Sequence, residues 1–369
     1  MRILLLHSSS DMYGASKIFL QTVQILQKSG HDCIVVLSSA GPLSSALVEN
    51  KISVHIVNLG ILRRKYFTPS GILNRIQKWK NAQKQIQVII DQKNIDCIYS
   101  NTAAVLIGGY LATKNKIQHI WHIHEIIEKP LFLHYIIKWC MKHWAQKIIV
   151  VSKAVETHWG MGILVYNGIE ALAPSNKINY RQQYAIPDNA IIIGMAARIH
   201  YWKGQNYFLQ IAKTLIASEN NNAPLYFIIS GDPFAGYEYL LDEMKVFIQE
   251  HRLSDRVFYI GFENEMDIFY RSIDLLVLPS QLPDPLPTVV LEAMMYGIPV
   301  AATAQGGALE MINENGIFLP LTDVNEAAKK IGSILPLETR KQLGQAGQKR
   351  VQALFSAAAF EKNILHVFD

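Results

Sequence analysis

The stretch that decides the fold is residues 278–307, which read LPSQLPDPLPTVVLEAMMYGIPVAATAQGG. The mainly apolar run 274–278 leads into it and predicts a buried strand, which a proline-rich turn follows. A helix is expected to begin near Pro287-Thr288 and to end at Gly297, since proline favours the first helical position and glycine the position after the last. A strand, a turn and a helix in this order are typical of a parallel α/β sheet.

The same alternation of short apolar runs and helix-period segments continues along nearly the whole chain. Strands are predicted at 3–6, 33–37, 54–57, 97–99, 119–121 and 148–151, and again at 191–195, 225–229, 257–260, 274–278 and 300–302. Between the two sets lies a polar, aperiodic stretch, 174–188, which predicts a linker. The pattern therefore indicates two doubly wound, Rossmann-like domains, 1–185 with the linker and 186–354, with ligands expected in a cleft between them.

Composition excludes several classes of protein. Of the 369 residues, 50% are hydrophobic and 18% are charged, so the chain is neither disordered nor collagen-like. The cysteines, Cys33, Cys97 and Cys140, are too few for a disulfide framework, and small buried side chains in a reducing compartment are expected. The first apolar run ends at His7, short of the roughly 7–15 residues of a secretion signal. A cytoplasmic protein is predicted.

Two carboxylates in the deciding stretch are candidate ligand contacts. Asp284 lies in the turn and Glu292 inside the helix, and both can accept hydrogen bonds from the hydroxyl groups of a sugar or a ribose. The start of the helix offers unpaired N–H groups to a phosphate, and the residues expected to form this cradle are Leu286, Pro287, Thr288 and Val289. Alternatively, Asp284 caps the turn and Glu292 pairs with a neighbouring side chain.

Two cations follow the first strand of the second domain. Arg198 and Lys203 can together hold a diphosphate, the guanidinium as a fork and the ammonium as a point charge. Such fixed charges can stabilise a departing diphosphate without a metal. The Asp-x-Asp motif of metal-dependent transferases is absent from the sequence, so neither a metal nor another cofactor is expected. The alternative is that both residues only solvate a loop.

Asp284, Glu292 and the sequence around them resemble the donor-site signature of family-four glycosyltransferases, a retaining group with the two-domain GT-B fold. Members usually have Glu followed by Gly-Phe-Gly or a close variant where this chain has Asp-Pro-Leu-Pro. The resemblance implies that Arg198 and Lys203 neutralise the donor pyrophosphate, Glu292 binds the ribose and Asp284 binds the transferred sugar. It also implies that residues 355–369 form a helix that returns to the first domain.

The first domain adds weaker signals. Gly14, in the turn after the first strand, could let the backbone approach the donor, although an ordinary strand-to-helix turn fits equally well. The segment WHIHE, which ends at Glu125, resembles the His-Asp or His-Glu segment of the family, so His124 would contact the donor sugar or orient the reacting centre. Tyr13, Ser16 and His124 are the expected acceptor-side residues. Paired histidines could also suggest a metal, but no third ligand is evident.

Charge is unevenly distributed along the chain. Residues 1–185 hold 21 Lys+Arg and 9 Asp+Glu, a balance of +12, whereas residues 186–369 carry −7. Basic residues lie beside aromatic ones at Arg63-Arg64-Lys65 with Trp79, and again in 131–144, which predicts contact with an anionic membrane surface. The alternative is a core-facing stripe with a solvated basic face. No nucleic-acid motif occurs.

The resemblance implies a metal-independent enzyme that moves a sugar, with retention, from a nucleotide-diphosphate donor to a glycan or lipid-linked acceptor. Bacterial cell-envelope polysaccharide synthesis, on the inner face of the cell membrane, is the expected setting. Other functions stay open. A nucleotide-sugar epimerase and a non-catalytic protein of the same fold both fit the pattern, whereas a periplasmic-type binding protein would need an export signal.

Overall fold

The computed structural model describes residues 1–61, 66–219, 223–234 and 236–369. The chain divides into two compact units, which we call the first lobe (Met1–Gly168 with Ala357–Asp369) and the second lobe (Ile169–Ser356). Each lobe is built on one parallel sheet whose strands are connected by helices. The predicted α/β class and the two parallel sheets are confirmed.

The first lobe contains a seven-stranded parallel sheet in the order β3-β2-β1-β4-β5-β6-β7. Its strands are β1 (Arg2–His7), β2 (Asp32–Leu37), β3 (Ser53–Ile56), β4 (Cys97–Asn101), β5 (Gln118–Ile123), β6 (Lys147–Val150) and β7 (Ile163–Leu164). Helices connect them at α1 (Gly14–Lys28), α2 (Pro42–Glu49), α3 (Pro69–Lys93), α4 (Leu106–Asn115), α5 (Leu131–Trp144) and α6 (Lys153–Trp159). Both faces of the sheet are covered, because Ile3 and Leu5 of β1 enter one core while Leu4 and Leu6 enter another.

The second lobe contains a six-stranded parallel sheet in the order β10-β9-β8-β11-β12-β13. Its strands are β8 (Ile191–Ala196), β9 (Leu225–Ser230), β10 (Val257–Gly261), β11 (Leu275–Leu278), β12 (Val300–Thr303) and β13 (Ile317–Leu319). Its helices are α7 (Tyr180–Gln183), α8 (Gln205–Ala217), α9 (Tyr239–Glu250), α10 (Met266–Ser272), α11 (Thr288–Met295), α12 (Ala308–Ile312), α13 (Val324–Ser333) and α14 (Leu337–Leu354). The chain then returns to the first lobe with α15 (Ala357–Phe368).

The boundary between the lobes falls after Gly168 and not after residue 185, where we placed it from the sequence. The polar stretch read as a linker packs on the second lobe. Tyr180 is only 5% exposed, and the guanidinium of Arg181 donates to Asp274 across 3.1 Å. The stretch is held to the second lobe largely by polar contacts, so its sequence has no apolar periodicity. For this reason the sequence alone predicted a solvated linker.

Strand order places two sets of loops where α/β proteins bind ligands. In the first lobe β1 lies between β2 and β4, and in the second lobe β8 lies between β9 and β11. Strand order reverses at these points, so the loops at the carboxyl ends of the two central strands diverge and leave a crevice. The expected site residues after β1, β8 and β11 therefore lie at these crevices.

Cys33, Cys97 and Cys140 are buried and unpaired, as expected. Within the described residues, no helix is both long enough and apolar enough to cross a bilayer.

Candidate functional site

The loops that follow β8 and β11 are held tightly against each other in the second lobe. Gly204 has a φ of +83°, and a Cβ at this position would lie 2.0 Å from the carbonyl oxygen of Pro279. Only glycine permits both this conformation and this approach. Beside it, the backbone N–H of Gln281 donates to the carbonyl oxygen of Trp202 across 2.6 Å.

This approach joins Lys203 and Asp284, which are 81 positions apart, in an ion pair between Nζ and Oδ2. Both side chains are largely buried, with 16% and 13% exposed. The ammonium also lies 4.0 Å from the centre of the Trp202 ring, within range of a cation–π interaction. The two residues that we expected to hold different parts of one ligand therefore neutralise each other in the structure.

The backbone of Asp284 is fixed by a glycine pair that follows β12. Gly306 has a φ of +60°, and a Cβ there would lie 2.3 Å from the carbonyl oxygen of Asp284. The N–H of Gly307 donates to the same oxygen across 2.8 Å. We assigned no role to these glycines from the sequence. Their place directly after a predicted strand was the signal that could have indicated them.

Arg198 follows β8 and brings a second cation to this edge. Its guanidinium carbon lies 5.0 Å from the centre of the Phe234 ring, and its carbonyl oxygen accepts a hydrogen bond from Gln205 across 3.0 Å. The ring and the backbone bond restrain an exposed arginine that would otherwise be mobile. Arg198 and Lys203 thus place two positive charges on one short loop, an arrangement suited to a diphosphate.

Helix α11 begins beside Asp284. Leu286 and Pro287 are buried, whereas Thr288 and Val289, at the start of the helix, are half-buried. The side chains of Leu286 and Pro287 therefore pack inside the lobe, and these two residues can offer a ligand only backbone groups. The N–H of Val290 donates to the carbonyl oxygen of Pro287 across 3.0 Å. The N–H groups of Thr288 and Val289, the first two of α11, have no partner within the helix, which suits them to an anion.

The two carboxylate oxygens of Glu292 differ in their hydrogen bonds. Its Oε2 accepts a hydrogen bond from the hydroxyl of Tyr270 across 2.7 Å. Burial, together with the charge of Glu292, raises the pKa of Tyr270 well above its usual value, so the hydroxyl stays protonated and donates. The alternative interpretation, in which Glu292 pairs with a neighbouring side chain, is confirmed for this oxygen. Its Oε1 accepts no hydrogen bond from any residue that the structure describes.

A separate cavity of about 360 Å³ lies next to these residues. It is lined by Tyr201 and Gly204 and by α9, but not by Arg198, Lys203 or Asp284. No lysine or arginine is part of its lining. The cavity therefore lacks the positive charge that a diphosphate requires, which leaves the edge with Arg198 and Lys203 as the candidate anion site.

The expected site residues of the first lobe belong to a buried chain of hydrogen bonds. At the carboxyl edge of the sheet, His124 Nε2 lies 2.9 Å from Asn101 Oδ1, and Asn101 Nδ2 lies 3.0 Å from His7 Nδ1. His7 Nε2 lies 3.0 Å from the hydroxyl oxygen of Ser16, whose hydrogen is donated to Asp11 across 2.9 Å. The chain joins the loop after β1 to the loop after β5.

Ser16 is only 2% exposed, and its hydroxyl is engaged on both sides. The structure thereby revises our expectation that Ser16 faces an acceptor. Tyr13 is 44% exposed, and its backbone N–H donates to Asp11 across 3.1 Å. Gly14 begins α1, and a Cβ there would meet nothing within 4 Å. Tyr13 and Gly14 are therefore the accessible residues of this loop.

The two histidines that belong to this chain of hydrogen bonds, His7 and His124, are neutral at physiological pH. Burial lowers the pKa of His7 to about 4, and burial with neighbouring histidines lowers that of His124 well below its usual value. The ring of His122 lies 4.2 Å from that of His124. The described residues include no group of three or more His, Cys, Asp or Glu that could hold a metal ion.

The predicted membrane-contact residues have different outcomes. Arg63, Arg64 and Lys65 lie outside the described residues. Trp79 is half-buried and packs with its ring centre 4.9 Å from that of Tyr110. It therefore packs partly against the interior of the first lobe, and its contact with a membrane surface stays a prediction.

A different set of apolar side chains is exposed on the first lobe. Phe67, just before α3, lies with its ring centre 6.1 Å from that of Phe132 on α5 and links the two helices. The exposed apolar residues of 67–76 and of α5, which we call the α3–α5 surface, are Phe67, Ile72, Leu73, Ile76, Leu131, Phe132, Tyr135, Ile136 and Trp139. Exposed apolar residues gathered in this way are typical of contact with a membrane or another protein.

Two family models match almost the whole chain in succession. Residues 12–169 match "Glycosyltransferase Family 4", and residues 176–350 match "Glycosyl transferases group 1". The first match falls in the first lobe and the second in the second lobe, including Arg198, Lys203, Asp284 and Glu292.

Known proteins agree with these matches. An uncharacterized glycosyltransferase of Haemophilus influenzae is 23% identical over 87% of this chain and 86% of its own length. An Escherichia coli UDP-Gal:alpha-D-GlcNAc-diphosphoundecaprenol alpha-1,3-galactosyltransferase is 24% identical over 85% of this chain and 82% of its own. The crystal structure of Anabaena HepE with UDP-glucose is 21% identical and covers 100% of this chain and 99% of its own, with a TM-score of 0.83. The chain belongs to the family-four glycosyltransferases and has the GT-B fold.

Proposed function

We propose that the protein transfers a sugar, with retention, from a nucleoside-diphosphate donor to a glycan or lipid-linked acceptor in cell-envelope polysaccharide synthesis. The observation that carries the proposal is the ion pair between Lys203, in the loop after β8 that also holds Arg198, and Asp284, in the loop after β11. Glu292 lies in α11, the helix that follows Asp284. The two cations would hold the diphosphate, Glu292 the ribose and Asp284 the transferred sugar.

Electrostatics support this division of roles. When the bond to the sugar breaks, negative charge develops on the departing diphosphate, and fixed positive groups stabilise it. Arg198 and Lys203 supply two charges, and the start of α11 supplies backbone N–H groups. Because these groups can supply the positive charge themselves, we propose that transfer proceeds in the presence of a chelator.

The names of relatives support the class of substrate. The Escherichia coli relative takes galactose from a UDP donor to a diphosphoundecaprenol acceptor, and an O-antigen biosynthesis glycosyltransferase, WclY, is 26% identical over 56% of this chain. HepE is known with UDP-glucose and with UDP. We therefore propose a UDP-sugar as the first donor to test and a polyprenol-diphosphate saccharide as the first acceptor.

We also propose that the protein acts at the cytoplasmic face of the membrane, with its α3–α5 surface against anionic lipid. The first lobe holds 20 Lys+Arg and 10 Asp+Glu, and a positive lobe is attracted to anionic headgroups. Phe132 and Trp139 are 55% and 54% exposed on α5, which suits side chains that enter the headgroup region.

Sedimentation with liposomes tests the membrane contact. Phe132→Glu with Trp139→Glu should reduce binding to anionic vesicles. Val88→Glu is the matched control, because Val88 is a similarly exposed (51%) apolar residue on α3 that is not part of the α3–α5 surface. Equal binding by the double variant and the control would contradict the proposed contact.

Product analysis tests the transfer reaction. The protein is incubated with UDP-sugars and a lipid-linked acceptor in EDTA, with and without the acceptor, and the linkage is assigned by NMR. Transfer with an unchanged anomeric configuration, lost in Lys203→Ala and Glu292→Ala, is expected. Conversion of the donor without an acceptor would favour an epimerase, and turnover that requires Mg²⁺ or Mn²⁺ would contradict metal independence.

A further inference from the structure

We propose that Asp11 fixes the tautomer of His124 from a distance, through a one-directional chain of hydrogen bonds that passes through Ser16, His7 and Asn101. These four residues would be positioning residues, and His124 the one that contacts the substrate. The proposal deepens the proposed function and rests on it only for the identity of the group that His124 meets.

The direction of the chain begins at Asp11, which can only accept hydrogen bonds when it is ionised. Its carboxylate accepts from the hydroxyl of Ser9 across 2.6 Å, the N–H of Tyr13 across 3.1 Å and the hydroxyl of Ser16 across 2.9 Å. Partial burial would raise the pKa of Asp11, but these hydrogen bonds outweigh it and hold the pKa below its usual value. Asp11 is therefore charged, and Ser16 must donate to it.

Each later step follows from the preceding one. Because the hydrogen of Ser16 is donated to Asp11, its oxygen accepts from His7, which must carry its proton on Nε2. The Nδ1 of His7 then has a lone pair and accepts from the amide nitrogen of Asn101. The amide oxygen of Asn101 is left to accept from His124, which must carry its proton on Nε2.

The opposite direction is incompatible with an ionised Asp11. In that direction Ser16 donates its hydrogen to His7. The 2.9 Å contact between Ser16 and Asp11 is then a hydrogen bond only if the carboxyl group of Asp11 is protonated and donates to Ser16. All the linking side chains are buried, with His7 1%, Asn101 0% and Ser16 2% exposed. Water therefore cannot readily substitute for a missing donor, and the direction set at Asp11 reaches His124.

The consequence concerns the other ring nitrogen of His124. Nδ1 carries a lone pair, and no described residue donates a hydrogen bond to it. The ring is held in place, because Nε2 is bound to Asn101 and the backbone N–H of His124 donates to the carboxylate of Glu125 across 3.1 Å. A neutral ring with an unprotonated nitrogen accepts a hydrogen bond. The group it contacts is therefore a hydroxyl or an amide N–H of a sugar, not a phosphate oxygen.

The test is long-range ¹H–¹⁵N NMR of the full chain labelled with ¹⁵N-histidine, since protonated and unprotonated ring nitrogens have well-separated shifts. His7→Gln and His124→Gln assign the signals. In the unchanged protein, both rings should be protonated on Nε2 alone. Asp11→Ala removes the acceptor that holds the hydrogen of Ser16, so Ser16 becomes free to donate to His7, the chain can reverse and protonation of Nδ1 should appear at both rings. Asp91→Ala, which removes an exposed carboxylate on α3, is the control.

An Nδ1-protonated His124 in the unchanged protein, or tautomers unaffected by Asp11→Ala in a variant that stays folded by its melting curve, would overturn the proposal. Turnover gives a second readout. Asp11→Ala should lower kcat on the order of 10–100-fold with little change in the donor KM, and Asp11→Glu, which keeps the charge, should recover part of the loss. An equal loss in both variants would contradict the role of charge. If no donor is turned over, the proposed function fails, while the NMR result still decides the tautomer.

Discussion

Replacing Asp284 by asparagine should strengthen the binding of a free nucleoside diphosphate while slowing sugar transfer. The substitution keeps the size of the side chain but removes the negative charge that neutralises Lys203. UDP lacks the transferred sugar that would contact Asp284, so its binding loses no hydrogen bond in the variant and gains an ammonium group whose charge is no longer neutralised. A UDP-sugar loses the hydrogen bonds that the carboxylate would make with its hydroxyl groups, so kcat should fall.

The size of the effect follows from the geometry of the ion pair. A phosphate oxygen on the far side of the Lys203 ammonium would lie two hydrogen-bond lengths, about 5–6 Å, from the carboxylate of Asp284. At an effective dielectric constant of about 20, two unit charges at this distance repel by about 3 kcal/mol. The side chains are 16% and 13% exposed, so water and salt screen part of this repulsion. About half of it would give an affinity gain of about tenfold.

Isothermal titration of UDP in EDTA at fixed ionic strength measures this gain directly. Lys203→Met should weaken UDP binding, and its combination with Asp284→Asn should be less than additive, because the two groups interact. Asp255→Asn is the control, since it removes an exposed carboxylate of the same lobe just before β10, at the opposite edge of the sheet. Weaker UDP binding by Asp284→Asn, or a gain no greater than that of the control, would refute the reasoning.

Three further predictions concern stability. Gly204→Ala should lower the free energy of unfolding by about 2–4 kcal/mol, because the φ of +83° and the Pro279 oxygen 2.0 Å away both oppose a Cβ. Gly332→Ala, where a Cβ would meet nothing within 4 Å, should not destabilise the protein. Equal melting temperatures for the two variants would contradict this prediction. Tyr270→Phe should cost about 1–2 kcal/mol in chemical denaturation through its lost 2.7 Å hydrogen bond to a carboxylate, and an unchanged denaturation midpoint would argue against that bond. The first lobe should lose stability as the pH falls from about 6.5 to 4, because the unfolded chain protonates histidines whose pKa burial lowers to about 4 at His7 and His119. Each should contribute up to about 1.4 kcal/mol per pH unit, and urea midpoints that stay constant between pH 7 and 5 would contradict this.

Much of the fold was predictable because buried parallel strands are continuous apolar runs. The shortest strands, β7 with two residues and β13 with three, were missed because so few residues carry too little pattern. Helix α4 was missed for a different reason. Its residues Gly108 and Gly109 pack against side chains of the lobe interior, and a helix buried on several sides has no polar face to reveal its period.

The candidate site was predictable as a set of residues, but its contacts were not. Arg198, Lys203, Asp284 and Glu292 were selected by their resemblance to a family, and strand order brings the loops that hold the first three, after β8 and β11, to one edge. The ion pair joins residues 81 positions apart, and it depends on the close approach that Gly204 permits. Such a contact is a property of sheet topology and loop packing, which no local pattern records.

The central claim is that the second lobe holds a nucleoside diphosphate without a metal, and a thermal-shift screen in EDTA tests it most directly. UDP, GDP, ADP and TDP are each added to the protein and to Arg198→Met, and melting is recorded over a range of concentrations. At least one nucleotide should stabilise the unchanged protein, by about 2.7 kcal/mol at 100 times its Kd, and the variant should need far more of it. No stabilisation by any of the four nucleotides, or equal stabilisation of the variant, would contradict the claim.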